Sequence, residues 1–258
     1  MNQTERRFFL IKKLLQEKTD YSHIEIPANA EEQKKLLRSL FNVREPMAAG
    51  DEFLQVQDAY LKEEVRRKGI TNITDLEPVE EGIYIWQGDI TRFRCGAIVN
   101  AANAQMLGCF CPCHGCIDNA IHTYAGVQLR RACAEIMRNQ GHPEKTGGAK
   151  ITPAFNLPCE YVLHTVGPII SGRLTHRDEE MLASCYRSCL KLAKQNHIKS
   201  IAFCCISTGE FHFPRERAAE IAVKTVKENK SEIEVVFNVF KDEDYEIYRK
   251  LLCTDKKA

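Results

Sequence analysis

The chain of 258 residues is short of several features, and each shortage excludes something. No apolar run approaches the ~18 residues that a membrane-spanning helix needs. Residues 1–18 break their apolar positions with Lys and Arg, so they lack the continuous core of an export signal. Neither charge dominates: 36 Lys and Arg stand against 35 Asp and Glu, a formal net charge of +1. That balance argues against a broadly basic nucleic-acid surface and against a polybasic membrane anchor. Repeats and low-complexity tracts are missing as well. A hydrophobic content of 44% with 28% charged residues is that of a folded globule rather than a disordered chain. The expected location is cytoplasmic, without nucleic-acid or membrane partners.

Cysteine is abundant. Twelve in a chain with no export signal are expected to be core residues, metal ligands or reactive thiols rather than disulfides. Cys185 and Cys189 lie four apart on a helical pattern, and Cys204 and Cys205 lie in an apolar run, so core packing is expected for these four. Cys109, Cys111, Cys113 and Cys116 fall within eight residues around His114. Packing alone does not explain that density.

Two regions of different texture are expected. Residues 1–81 are rich in Lys, Glu, Gln and Leu, with helical apolar spacing around 8–15, 36–41 and 53–65. Asn29 is placed to cap the second stretch, with Glu32 three residues on for a capping box. Residues 82–258 alternate short β-branched runs with amphipathic stretches. Strands are expected at 83–86, 97–100, 161–166, 201–206 and 234–240. One helical stripe joins Ile117, Ile121, Ala125, Leu129, Ala132 and Ile136, and another joins Leu182, Cys185, Cys189 and Leu192. Further helices are expected at 215–227 and 243–252. The fold class is therefore α/β, a three-layer domain on a largely parallel sheet with a helical N-terminal extension.

In such a sheet, ligands bind beyond the carboxyl ends of the strands. The loops expected there are polar. Ser207, Thr208, Gly209, Glu210 and Phe211 precede a helix, so backbone N–H groups could cradle a phosphate, with Phe211 and Phe213 as stacking faces; a plain turn fits equally well. No Walker-type lysine follows, which argues against nucleoside triphosphate hydrolysis. Asp89, beside Ile90, could accept from an exocyclic amine such as adenine N6, or cap a turn through Thr91. Asn100 and Asn103 could hold sugar hydroxyls or serve local turns. The segment from Cys109 to Cys116 suits a zinc ion, since thiolates and imidazole recur at close spacing. Four thiolates plus His114 exceed tetrahedral coordination, whereas three ligands would leave the open position of a catalytic zinc. Ile117 and Asp118 follow at a helix start, where a carboxylate is favoured by the dipole and would also face the metal.

Taken together, these motifs resemble a macrodomain from about residue 84 to 240. The resemblance rests on Gly88-Asp89-Ile90-Thr91, on Ala97 through Asn103, on Ile117 through His122, on His164-Thr165-Val166-Gly167-Pro168 and on Ser207 through Pro214. Leu107-Gly108-Cys109, the run His114 to Asn119 and the helical extension are similar to the zinc-dependent class associated with class M sirtuins. MacroD-type hydrolases carry a glycine run before their catalytic aspartate, and here the Cys/His segment replaces it. The resemblance implies one zinc held by Cys109, His114 and Cys116, with Cys111 and Cys113 at variable positions. It implies Asp89 and Ile90 at the adenosine end, Asn100 and Asn103 at the distal ribose, and Ser207, Thr208, Gly209, Glu210 and Phe211 at the diphosphate. Cys116, Ile117 and Asp118 would also touch substrate, and Asn103 and Asp118 would be catalytic.

The activity implied is protein mono-ADP-ribosyl hydrolysis. Its substrate would be an acidic side chain on a lipoyl-carrier protein related to glycine cleavage protein H, modified by a sirtuin-type ADP-ribosyltransferase. Attack on the ester carbonyl and attack on the anomeric carbon both remain open. Two other readings are an ADP-ribose reader with a structural zinc, which a fourth thiolate would favour, and a redox sensor built on the cysteine cluster.

Overall fold

The computed structural model describes residues 1–253, so the end of the expected 82–258 domain lies outside the described residues. Three helices come first: α1 (Gln3–Gln16), α2 (Ala30–Val43) and α3 (Asp51–Lys68). Asn29 caps α2 as expected, accepting from the N–H groups of Glu31 and Glu32. The reciprocal capping box appears on α1 instead, between Asn2 and Glu5. Leu10, Ile11 and Leu14 of α1 meet Leu37, Leu40 and Phe41 of α2 and Phe53, Tyr60 and Leu61 of α3 in a cluster of their own. Each such side chain stabilises the packing by roughly 1.5–3 kcal/mol when fully buried. Gly69 ends α3 at φ +82°, a conformation that favours glycine.

Strands and helices then alternate. β1 (Thr71–Asn72) pairs with β3 (Phe93–Arg94) in a separate two-stranded ladder; β2 (Ile83–Gln87) lies between them in sequence, and β4 (Ala97–Ala102) follows. α4 (Ile117–Ala125) and α5 (Val127–Gln140) lead to β5 (Ala149–Pro153) and β6 (Tyr161–Val166). α6 (His176–Gln195), β7 (Ser200–Phe203), α7 (Arg215–Asn229), β8 (Glu234–Val239) and α8 (Asp242–Cys253) complete the described chain. The main sheet has the order β2-β8-β7-β4-β6-β5 and is parallel except for β5, which runs antiparallel to β6 at one edge. The central strands supply the core: Ile98 and Val99 of β4, Val162 and Leu163 of β6 and Val235 and Val236 of β8 are fully buried. This is the expected α/β macrodomain architecture.

Several boundaries differ from expectation. β4 continues two residues past its expected end to Ala102 because Ala101 and Ala102 pair with Thr165 and Val166 of β6, so Asn100 lies within the strand rather than at its end. β7 stops at Phe203, three residues short of the expected end, and Phe240 lies just past β8. β5 has no counterpart among the expected strands. Phe213 is 2% exposed and belongs to the core, so it offers no stacking face. Because five strands run parallel, the loops after β2, β4, β6, β7 and β8 open on one edge of the sheet.

Candidate active site and metal centre

Hydrogen bonds tie those loops together. Asn238 of β8 donates to the carbonyls of Trp86 and Gly88, at 3.3 and 3.0 Å, and Gly88 N–H donates to Val239 O at 3.0 Å. Asp89 then caps the turn at Ile90: its Oδ1 accepts from Thr91 N–H at 3.0 Å and from Thr91 Oγ1 at 2.6 Å. Its Oδ2 faces Lys68 Nζ at 3.3 Å. The turn role of Asp89 is therefore present, with one carboxylate oxygen shared with a lysine of α3. Beside it, Phe240 is 75% exposed, and its carbonyl accepts from Gln87 Nε2. Phe240 was expected inside a strand and so was missed as a free aromatic face. The available signal was an aromatic residue at the end of an apolar run.

Between β7 and α7, Ser207 adopts φ +66°. Thr208 Oγ1 donates to Cys205 O, and Phe213 N–H donates to Ser207 O at 3.0 Å, which closes the loop. The loop meets the segment after β6 where Ile170 N–H donates to Phe211 O at 2.9 Å. Ser207 Oγ is buried without a hydrogen-bond partner. Gly209 is exposed, and a Cβ built there would meet nothing within 4 Å. Backbone at this position is thus open to a ligand.

Asn100 and Asn103 have different surroundings. Asn100 is fully buried and sits opposite His164 in the β4–β6 register. Its Nδ2 lies 2.8 Å from Asp118 Oδ1 and 3.2 Å from His164 Nδ1. Asn103 shapes the next turn: Oδ1 accepts from the N–H groups of Gln105 and Met106, and Nδ2 donates to Gly108 O at 3.3 Å. Asn100 therefore acts from beneath the site, on Asp118, and Asn103 acts on the approach to Cys109.

Cys116 is the N-cap of α4, its Sγ accepting from Asn119 N–H at 3.4 Å, so Asp118 is a first-turn residue and not the cap. Ile117 is half-buried, and Asp118 is 5% exposed. Burial pushes the Asp118 carboxyl up to about 6, against the lowering influence of Asn100 and Arg130. His122, one turn on, faces Asp118 Oδ1 at 3.5 Å. Burial drives its pKa well below the usual value, so it is neutral at pH 7.

The zinc implied by the resemblance can be tested against the donor set. Atoms of Cys109, His114 and Cys116 lie within 4.8 Å of one another, and Cys111 and Cys113 are outside that group. His114 Nδ1 is buried without a hydrogen-bond partner, as an unmetallated ligand nitrogen would be. Its Nε2 faces Glu210 Oε1 at 3.8 Å, which joins the cysteine segment to the Ser207 loop. Burial near Cys109 pushes the Cys116 thiol up to about 12. Two sulfurs and one imidazole nitrogen are a chemically suitable set for zinc, so the residues present fit the ion. A second group of ligand-type side chains, His122, Cys133 and His164, is fully enclosed. There His164 already engages Asn100 through Nδ1 and Thr152 Oγ1 through Nε2, at 2.9 Å for the latter, which marks it as part of the packed interior.

Comparison with known proteins identifies the fold and the family. A family model described as the Macro domain matches residues 99–222. The chain is 59% identical over 260 residues to a protein-ADP-ribose hydrolase of Treponema medium, covering 98% of this chain and 100% of that one. It is 48% identical over 253 residues to a protein-ADP-ribose hydrolase of Staphylococcus aureus strain MSSA476, covering 96% and 95%. Among solved structures, the Trypanosoma brucei macrodomain in complex with ADP-ribose superposes with a TM-score of 0.63 at 31% identity, over 83% of this chain and 94% of that one. With the sheet order, the loop edge and the full-length relatives in agreement, the chain belongs to the macrodomain family.

Proposed function

We propose that this protein is a zinc-dependent hydrolase that removes mono-ADP-ribose from modified protein side chains. Hydrolysis of an ADP-ribosyl bond is the activity for which its full-length relatives are named. The observation that carries the finer reading is the convergence of Cys109, His114 and Cys116 at the start of α4, two residues before the buried carboxyl of Asp118. Those three residues would hold the ion, which would supply Lewis acidity at the scissile bond.

The chain's own groups do the rest. The loop at Ser207, Thr208, Gly209, Glu210 and Phe211 would bind the diphosphate through backbone N–H groups. Asp89 and Ile90 would meet the adenine, with Phe240 as the aromatic face beside them. Asn103 would orient the distal ribose through the turn it holds. Asp118, its Oδ1 anchored by Asn100, would orient water or take its proton, a role suited to a carboxyl near its midpoint at about 6.

The proposed substrate is an ester on an acidic side chain of a lipoylated carrier related to glycine cleavage protein H, with a sirtuin-type transferase as the opposing enzyme. This follows the sequence resemblance. The proposed setting is the cytoplasm, in keeping with twelve free thiols. No helix among the described residues is long and apolar enough to cross a membrane.

The test is release of ADP-ribose from a mono-ADP-ribosylated carrier, with and without a zinc chelator. Release that the chelator abolishes and added zinc restores is expected. Full activity in verified zinc-free protein overturns the zinc reading, and binding of ADP-ribose with no release identifies a reader instead. Running the reaction in heavy-oxygen water then separates the two carbons, because label enters either the carrier carboxylate or the released ADP-ribose.

A further inference from the structure

The segment that carries the candidate ligands has an exposed tip: Phe110, Cys111, Pro112, Cys113 and Gly115 all face solvent. Fixing such residues in a single backbone conformation costs conformational entropy. Something other than core packing must hold it, and the contacts come from α2. Lys35, Arg38, Ser39 and Asn42 recur at the spacing of one helical face. Arg38 Nη2 donates to His114 O at 2.9 Å and to Asn119 Oδ1 at 2.8 Å, and its Nε reaches the same oxygen at 3.2 Å. Asn119 in turn donates through Nδ2 to Cys111 O at 2.9 Å.

Asn42 makes the second attachment. Its Oδ1 accepts from Cys113 N–H at 2.9 Å, while its Nδ2 donates to Thr123 Oγ1 at 2.9 Å. Cys113 is held at φ +53°, a backbone state that a non-glycine residue rarely adopts without such support. Its thiol lies 3.3 Å from Ser39 Oγ and 3.5 Å from Lys35 O, turned to α2 rather than to the candidate ligands. The backbone between Cys109 and Cys116 is therefore fastened at 111, 113 and 114, in each case by way of α2 or of Asn119, which α2 grips.

We propose that Arg38 and Asn42 are positioning residues for the metal site, holding residues 111–114 so that Cys109, His114 and Cys116 converge before the ion arrives. This rests on the zinc reading above. The N-terminal helices are then part of the active site rather than a cover for the sheet domain. Outer partners of this kind commonly change metal affinity by roughly 10–100-fold.

The experiment uses the full chain, with Arg38→Ala, Asn42→Ala and, as a control on the same helix, Gln33→Ala. Gln33 accepts from Arg7 Nε and donates to Pro27 O, so its hydrogen bonds stay within the N-terminal region. Zinc affinity is read by competition with a chromogenic chelator, site geometry from the visible absorption of the cobalt-substituted protein, and folding from thermal melting. Arg38 is part-exposed, so its truncation tests the idea even if Asn42→Ala does not fold. Arg38→Ala is expected to weaken zinc binding at least tenfold and to alter the cobalt spectrum. Gln33→Ala is expected to lower the melting temperature with zinc affinity unchanged. Parental affinity in folded Arg38→Ala, or an equal loss in Gln33→Ala, overturns the proposal alone. A parent protein that takes up no zinc overturns the zinc reading and this inference with it.

Discussion

Single side chains separate the packed interior, where His164 lies, from the candidate metal site formed by Cys109, His114 and Cys116. His164 is fully buried, and burial pushes its pKa down to about 4. The folded value lies below the usual ~6.5, so the neutral ring contributes stability that is complete above that pH and is lost as pH falls towards 4. The shift corresponds to ~3 kcal/mol, and His122 acts in the same direction. Urea unfolding at pH 7 and pH 4.5 should show this loss in the parent, and His164→Gln should reduce it. Equal pH sensitivity in the variant would remove His164 as its source. Among the cysteines, Cys109→Ser and Cys116→Ser should lose zinc and hydrolysis together, because serine is a far weaker zinc ligand than a thiolate. Cys111→Ser and Cys113→Ser should keep one zinc per chain, since Cys111 is exposed and Cys113 faces α2. Metal analysis of the four purified variants decides it, and zinc loss in Cys111→Ser or Cys113→Ser would indicate a closed site.

At the scale of elements, the loop between β7 and α7 is the simplest to test. Gly209 has no positive φ to protect, and open space surrounds it, so Gly209→Val should fold normally. It should weaken ADP-ribose binding by about tenfold, ~1.4 kcal/mol, by placing a side chain where phosphate must approach backbone. Unchanged affinity by calorimetry would reduce the loop to a turn. Much of this level could be read from the sequence. The runs at 83–86, 161–166 and 234–240 carry β-branched residues between turn signals, and β2, β6 and β8 lie there. What could not be read depends on pairing. β5 is a short stretch ending in Pro153, and only its antiparallel bonds to β6 define it. Asn100 reads as the end of a strand beside a turn until its register opposite His164 is known. The spacing of the candidate ligands Cys109, His114 and Cys116 is legible because it is local. The attachments from Arg38 and Asn42 are not, since they span 71 to 81 residues.

Across the whole molecule, the helical third and the sheet domain meet through buried polar contacts. Arg130 of α5 is 4% exposed and donates to the carbonyls of Phe41 and Arg44 on one side and to Leu107 O on the other. Its guanidinium also lies 4.2 Å from the Phe110 ring centroid. Arg130→Met would leave those carbonyls unpaired in the interior, at roughly 1–3 kcal/mol for each. The expected loss in urea unfolding is on the order of 3 kcal/mol, and one below about 1 kcal/mol would mean that water replaces the guanidinium. Gln57 and Asp58 of α3 extend the same joint, engaging Gln128, Val127 and Asn156.

The helical third also has an apolar cluster largely its own, with Val127 as the buried sheet-domain residue in it, and it ends at Gly69, where nothing crowds the chain. A chain cut after Gly69 would therefore yield two pieces with complementary faces, and mixing them should rebuild one molecule. Neither piece would bring together everything that holds the cysteine segment, so activity regained on mixing would report the docking of one piece on the other.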